Sequence, residues 1–248
     1  MTIDTKKKFG KLWSKYFDGA ELPISLCYTD DPGGREISPP SAPRCLVANL
    51  AKVRAGKDLC FDAGSIGCAG GRRYAGFARE IRSNFEYFLS CGIPGELEGE
   101  RYKRSPELVI ELMKKLPQFE APARFLVFKR WDKLEEGDNP DVVAFFARPD
   151  VLSGLFTLAN FDESDPNEVF APFCAGCASI VLYPYLEAQS ARPRCVLGMF
   201  DVSARPYVRK DLLSFAVPMK KFIRMVDEME ESFLITSSWQ KVQGRIEE

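Results

Sequence analysis

Thiol chemistry is the main chemical resource of this chain. It has eight cysteines, at positions 27, 45, 60, 68, 91, 174, 177 and 195, and no histidine. Lack of histidine removes the Ser-His-Asp and Cys-His arrangements and every histidine-ligated metal site. Acid–base work would fall to Asp, Glu, Lys, Tyr or Cys. Cys174-Ala175-Gly176-Cys177 is a CxxC, and two sulfurs at that spacing can chelate one metal or two corners of a cluster. Cys45 and Cys68 would complete four thiolates. The chain has no second CxxC, so the pattern differs from a zinc ribbon. A redox dithiol is a further reading, because a CxxC near a helix start has a lowered thiol pKa. The bland alternative is packing, since free cysteine is among the most buried residue types.

The cysteine pattern occurs twice. One copy runs from Cys45 through Cys60 to Gly67-Cys68-Ala69-Gly70-Gly71-Arg72-Arg73. The other runs from Cys177 through Cys195 to Gly198-Met199-Phe200. Cys45 to Cys68 is 23 positions and Cys177 to Met199 is 22. This spacing suggests an internal duplication, over roughly residues 20–92 and 140–207, with a site between two pseudo-equivalent halves. Gly70, Gly71, Arg72 and Arg73 form a candidate anion site. Glycines let amides converge, and arginine adds a bidentate contact. The segment matches neither GxGxxG nor a Walker loop, so no nucleotide is implied. The bland reading is a glycine turn with solvated arginines. Asp62, Asp201, Glu187, Tyr183 and Tyr185 lie near the motifs in sequence, where caps, turns and surface roles are the ordinary uses. Cys27 and Cys91 are expected to be structural.

The elements that must position these residues follow from periodicity. Phe9, Leu12, Trp13, Tyr16 and Phe17 predict an amphipathic helix over 5–17. Residues 23–29 read as a strand and 30–43 as a proline-rich loop. Helices are predicted over 46–53 and 74–90, with an irregular glycine-rich stretch over 62–71. Ser105-Pro106 opens a helix to about 116. Residues 124–129 and 142–147 are apolar runs typical of buried strands, and 150–160 and 177–188 are helical, the latter perturbed at Pro184. Strands over 194–200 and 212–217, a helix over 219–233 and a polar tail from 239, helical or frayed, complete the chain. The mixture lacks βαβ regularity and predicts an α+β fold forming one unit over 1–248.

Formal net charge is −1 and hydrophobic residues make up 46%. No global basic field exists to hold nucleic acid or an anionic membrane. No apolar run reaches the roughly 20 residues needed to span a bilayer. No apolar stretch follows the basic residues near Met1, so a secretory signal is not expected and a cytoplasmic location with reduced thiols is.

The motifs resemble those of domain of unknown function family 169, uncharacterised and found largely in archaea and anaerobic bacteria. The resemblance rests on Cys45, Cys68-Ala69-Gly70-Gly71, Cys177-Ala178-Ser179 with Tyr183-Pro184-Tyr185, and Leu197-Gly198. It spans roughly residues 10–235. Met199 stands where the family pattern implies a cysteine, and the following Gly-x-Arg has become Asp201-Val202-Ser203-Ala204-Arg205. The family carries no established activity. The expected function is therefore a cysteine-lined site between two halves, holding an iron–sulfur cluster or another soft metal on Cys45, Cys68, Cys174 and Cys177. The alternative is a non-catalytic protein that binds a small anionic ligand, with cysteines that only pack.

Overall fold

The computed structural model describes residues 3–39 and 45–246. In chain order the elements are α1 (Ile3–Tyr16), β1 (Ile24–Thr29), α2 (Leu46–Arg54), β2 (Leu59–Phe61), α3 (Ala69–Tyr74), α4 (Phe85–Phe88), α5 (Pro106–Lys115), β3 (Phe125–Arg130), β4 (Val142–Ala147), α6 (Pro149–Ala159) and β5 (Val169–Phe170). A π-wound turn (Ala178–Leu182) leads into α7 (Tyr183–Ala188), followed by β6 (Cys195–Gly198), β7 (Leu213–Pro218), α8 (Met219–Glu228) and α9 (Ser237–Gln243).

The strands form one seven-stranded sheet in the order β2-β3-β1-β4-β7-β6-β5. All neighbours are antiparallel except β5 and β6. The fold is α+β. Central β4, Val-Val-Ala-Phe-Phe-Ala, is buried along its whole length. A strand covered on both faces has no use for polar alternation, hence the continuous apolar run. Val142, Ala144 and Phe146 join one core with residues of α2 and the π turn. Val143, Phe145 and Ala147 join a second core with α1, α6, α8 and α9. Helices therefore cover both faces, and the cysteine-bearing helices share one of them.

The second core is rich in aromatic contacts. Trp13 stacks on Phe17 at 4.5 Å, and Phe9 meets Trp131 and Phe222 at 5.0 Å each. Two lysines are also buried. Lys129 on β3 donates to Asp138 at 2.7 Å and Glu135 at 3.1 Å. Lys221 on α8 is 1% exposed and donates to Glu168. Each ammonium is paired because an isolated buried charge is prohibitively costly.

Two of the expected helices end early. Residues 74–90 do not form a continuous helix. α3 stops at Tyr74, the chain turns at Gly76 with φ +77°, and a Cβ there would sit 2.5 Å from the Ala121 amide nitrogen. The left-handed conformation and that close backbone approach end the helix, leaving only the single turn of α4. The helix expected over 219–233 ends at Glu228. The polar tail takes the helical form, one of the two expected, as α9, and it is docked. Trp239 is buried, its indole N–H donates to the Tyr16 carbonyl at 3.0 Å, and it packs edge-on against Phe233. Residues 40–43 of the proline-rich loop lie outside the described residues.

Candidate functional site

The four expected ligand cysteines come from three helix starts. Cys45 is the residue before α2 and has extended backbone, φ −65° and ψ 130°. Cys68 caps α3, and its sulfur accepts the Gly71 N–H at 3.1 Å. Cys177 opens the π turn, with Cys174 one turn earlier. The intervening chain is closed by the Ala178 and Ser179 amides on the Ala175 carbonyl, at 2.9 and 3.2 Å. Cysteine is an unusual cap, since Ser, Thr, Asp and Asn accept more strongly. At α3 the Cys68 sulfur takes that place, whereas Cys45 and Cys177 precede their elements without a side-chain cap hydrogen bond.

The four thiols occupy one neighbourhood. Cys68, Cys45, Asp201 and Cys174 all act electrostatically on Cys177, and Cys68 and Asp201 on Cys45. Asp201 organises the CxxC turn by accepting the Gly176 N–H at 3.0 Å and the Ser203 hydroxyl at 2.8 Å. Met199 supplies a fifth sulfur. It is buried, has φ +67°, and lies 3.0 Å from where a Gly176 Cβ would be. Val47, at the start of α2, lies 3.4 Å from the same point. A left-handed φ is rare for a residue with a long side chain, and such strain is held only by a surrounding structure that dictates it.

Two glycines permit this convergence. At Gly71 a Cβ would meet the Cys68 sulfur at 2.7 Å, Ile66 Cγ2 at 2.9 Å and Leu46 Cβ at 3.4 Å. At Gly198 it would collide with Ser179, which the π turn presses onto β6, and would reach the Ser214 hydroxyl oxygen at 2.8 Å. Pro184 accounts for the winding above it. Proline has no N–H to donate back up the helix, and a widened turn accommodates the break.

Burial dominates the electrostatics. It pushes the Cys174 thiol up to about 12 and the Cys177 thiol well above its usual value. Burial also raises Cys45, partly offset by the backbone amides of Ala48 and Val47. These thiols are protonated at neutral pH, which runs against the reactive low-pKa dithiol that the CxxC spacing suggested. Among the described residues, no three His, Cys, Asp or Glu side chains are set to hold a single metal ion. The four cysteines share a neighbourhood without forming a ready-made mononuclear site.

The glycine–arginine segment takes a different form from the expected loop. Gly70, Gly71, Arg72 and Arg73 all lie inside α3. The Gly71 amide is committed to the Cys68 sulfur. Arg73 is buried with its guanidinium turned to the Arg79 carbonyl, and its Nε has no partner among the described residues. Arg72 is half-buried. Phe173, just before Cys174, and Phe200 and Val202, on either side of Asp201, are all more than half exposed. Lys103 Nζ lies 3.9 Å from the Phe173 ring centroid. Sequence reasoning missed this apolar surround, although three apolar residues beside the motifs were its visible signal.

The other acid–base candidates have structural partners. Asp62 accepts the Gly64 and Ser65 amides at 3.0 and 2.9 Å. Glu187 grips Arg194 at 2.7 Å. Tyr185 packs edge-on against Tyr28 at 5.0 Å. Burial raises the Tyr183 hydroxyl, with Cys174 adding to the effect. Cys27 is half-buried in β1, and Cys91 is exposed.

The family profile described as Uncharacterised ArCR, DUF169, matches residues 21–228. The chain belongs to DUF169. The matched stretch takes in every strand of the sheet and all four site cysteines. No curated protein and no solved structure matches the chain. Membership of DUF169 thus carries no reaction with it, and the chemistry rests on the residues themselves. No helix among the described residues is long and apolar enough to cross a membrane.

Proposed function

We propose that this DUF169 protein holds a thiophilic inorganic centre, an iron–sulfur cluster before a single soft ion, on Cys45, Cys68, Cys174 and Cys177. The observation that supports this is the gathering of all four sulfurs at three helix starts on one face of the sheet. A cluster takes its ligands on separate iron atoms, so it asks for thiols around a common volume rather than three donors already closed on one point. The donor set fits a soft centre: four thiols, a nearby thioether and no histidine. Such a centre supplies electron transfer or activation of a bound substrate.

The chain's own part is to bind, orient and shield. Helix starts favour sulfur in its thiolate form, and burial opposes that form until a cation is present. Asp201 fixes the CxxC turn, and Gly71 lets α3 approach α2. Strand order supports a site between two related halves: outward from the centre it reads β1-β3-β2 on one side and β4-β7-β6 on the other, where the two-residue β5 is added at the edge. The deciding experiment is anaerobic reconstitution with iron and sulfide. Visible absorption that is lost in Cys45→Ser and Cys177→Ser is expected. A colourless protein with all its thiols still titratable refutes the reading.

A second reading is favoured by one observation, that the Cys68 sulfur already serves the Gly71 amide as a structural cap. On that reading the protein binds a small anionic ligand and the cysteines pack. Cys45→Ala and Cys177→Ala then leave ligand-dependent melting shifts intact.

A further inference from the structure

Away from the cysteines, a half-open cavity of about 200 Å3 lies where β4 runs into α6. Its floor includes Trp13, Phe145 and Val151, and its rim includes Arg148, Arg209 and Glu21. The floor residues are buried and belong to the aromatic core, so the cavity is a notch in well-packed structure rather than a surface fold. The rim carries an uneven charge. Asp211 accepts from Arg148 Nε at 2.9 Å and from Arg209 Nη2 at 2.8 Å, leaving two guanidinium groups to one carboxylate. Glu21 is neutralised separately, because Arg54 grips it through Nε at 2.9 Å and Nη2 at 2.7 Å. The terminal Nη atoms of Arg148 make no hydrogen bond among the described residues.

We propose that this cavity binds a small organic carboxylate with an apolar or aromatic body. The body would lie on Trp13, Phe145 and Val151, and the carboxylate would take the free Nη edge of Arg148, with Arg209 adding charge. Small-molecule sites are mostly apolar with a few placed polar groups, and guanidinium is the usual partner of a carboxylate. The volume is below that of drug-sized sites, which restricts the ligand to a single ring or a short branched chain. This site is independent of the cysteine reading, since it uses none of the same residues.

Phenylacetate is the probe, titrated into the full chain by isothermal calorimetry alongside the neutral isostere phenylacetamide. Saturable binding of the acid in the millimolar range or tighter is expected, with the amide at least about tenfold weaker, the loss that follows from removing a charge-assisted contact. Arg148→Gln should weaken the acid by a similar factor. Ala20→Leu extends a half-buried lining residue into the cavity and should abolish binding, with the fold checked by circular dichroism. The acid–amide comparison needs no variant, so it still decides if Arg148→Gln fails to fold. Absence of saturable binding, equal binding of acid and amide, or unchanged binding in Ala20→Leu overturns the proposal.

Discussion

Gly70 and Gly71 are adjacent in one helix, yet replacing each by alanine should shift stability in opposite directions. At Gly70 the nearest atom to an added Cβ is Tyr74 Cε2 at 3.9 Å, ordinary contact. Alanine there gains helix propensity and loses unfolded-state freedom, which together stabilise by up to about 1 kcal/mol. At Gly71 the same methyl lies 2.7 Å from the Cys68 sulfur and 2.9 Å from Ile66 Cγ2. Ile66 is 1% exposed and has nowhere to retreat. Overpacking of this kind costs about 1–3 kcal/mol. Displacing the Cys68 cap from the Gly71 amide adds about 1 kcal/mol. Subtracting the propensity gain leaves a net destabilisation of about 1–3 kcal/mol. Urea unfolding followed by circular dichroism measures both, with the slope in denaturant unchanged if only stability has moved. Cys68→Ala should rescue part of the Gly71→Ala loss, because the truncated side chain relieves the collision, and the double-mutant cycle would show coupling above about 0.5 kcal/mol. Equal signs at the two glycines, or a neutral Gly71→Ala, refutes the claim that this glycine sets how closely the sulfur approaches α2.

Other outcomes are equally open to measurement. Lys221→Met should destabilise by about 3 kcal/mol, because it leaves the buried Glu168 carboxylate only the exposed Arg192 at 3.6 Å as an ion-pair partner; Glu168→Gln added to it should recover part of that loss in the same unfolding assay. Burial holds Cys27 up to about 11, and Cys174 and Cys195 up to about 12. Their folded pKa values lie above those of the unfolded chain, so this stabilisation is complete below the ordinary thiol value near 9 and is lost as pH rises from there through about 12; melting temperature against pH should fall over that window, less steeply in Cys195→Ala. Iodoacetamide at mildly alkaline pH should label exposed Cys91 first, with Cys177 and Cys195 last by mass spectrometry, and early labelling of Cys195 would contradict its burial. Gly198→Ala should cost about 3 kcal/mol or more in chemical unfolding by lifting Ser179 and the π turn from the sheet.

Where one physical effect dominates, sequence was enough. The β4 run Val-Val-Ala-Phe-Phe-Ala is apolar throughout because both faces are covered, and Ser105-Pro106 opens α5 because capping and proline agree. Elements made by tertiary contact were not legible. Ala-Gly-Gly-Arg-Arg-Tyr has poor helix propensity, and α3 exists because a sulfur caps it and Gly71 leaves room for its neighbours. The break at Gly76 depends on Ala121, forty-five positions away, and no local window contains that pair. The cysteine spacing suggested a duplicated pattern and drew attention to Cys45, Cys68, Cys174 and Cys177. It did not reveal that the thiols of Cys45, Cys174 and Cys177 are raised, because burial, which raises them, is a property of the whole core.

The outer strands of the sheet carry a last consequence. β2 has three residues and β5 has two, and β2 is further overlaid by the Ser38 amide on the Cys60 carbonyl at 2.7 Å. Neither margin offers the long row of unpaired amides and carbonyls on which another chain can template itself. A protein with such an apolar sheet should therefore resist strand-to-strand aggregation in its native state and become vulnerable only once those margins peel away.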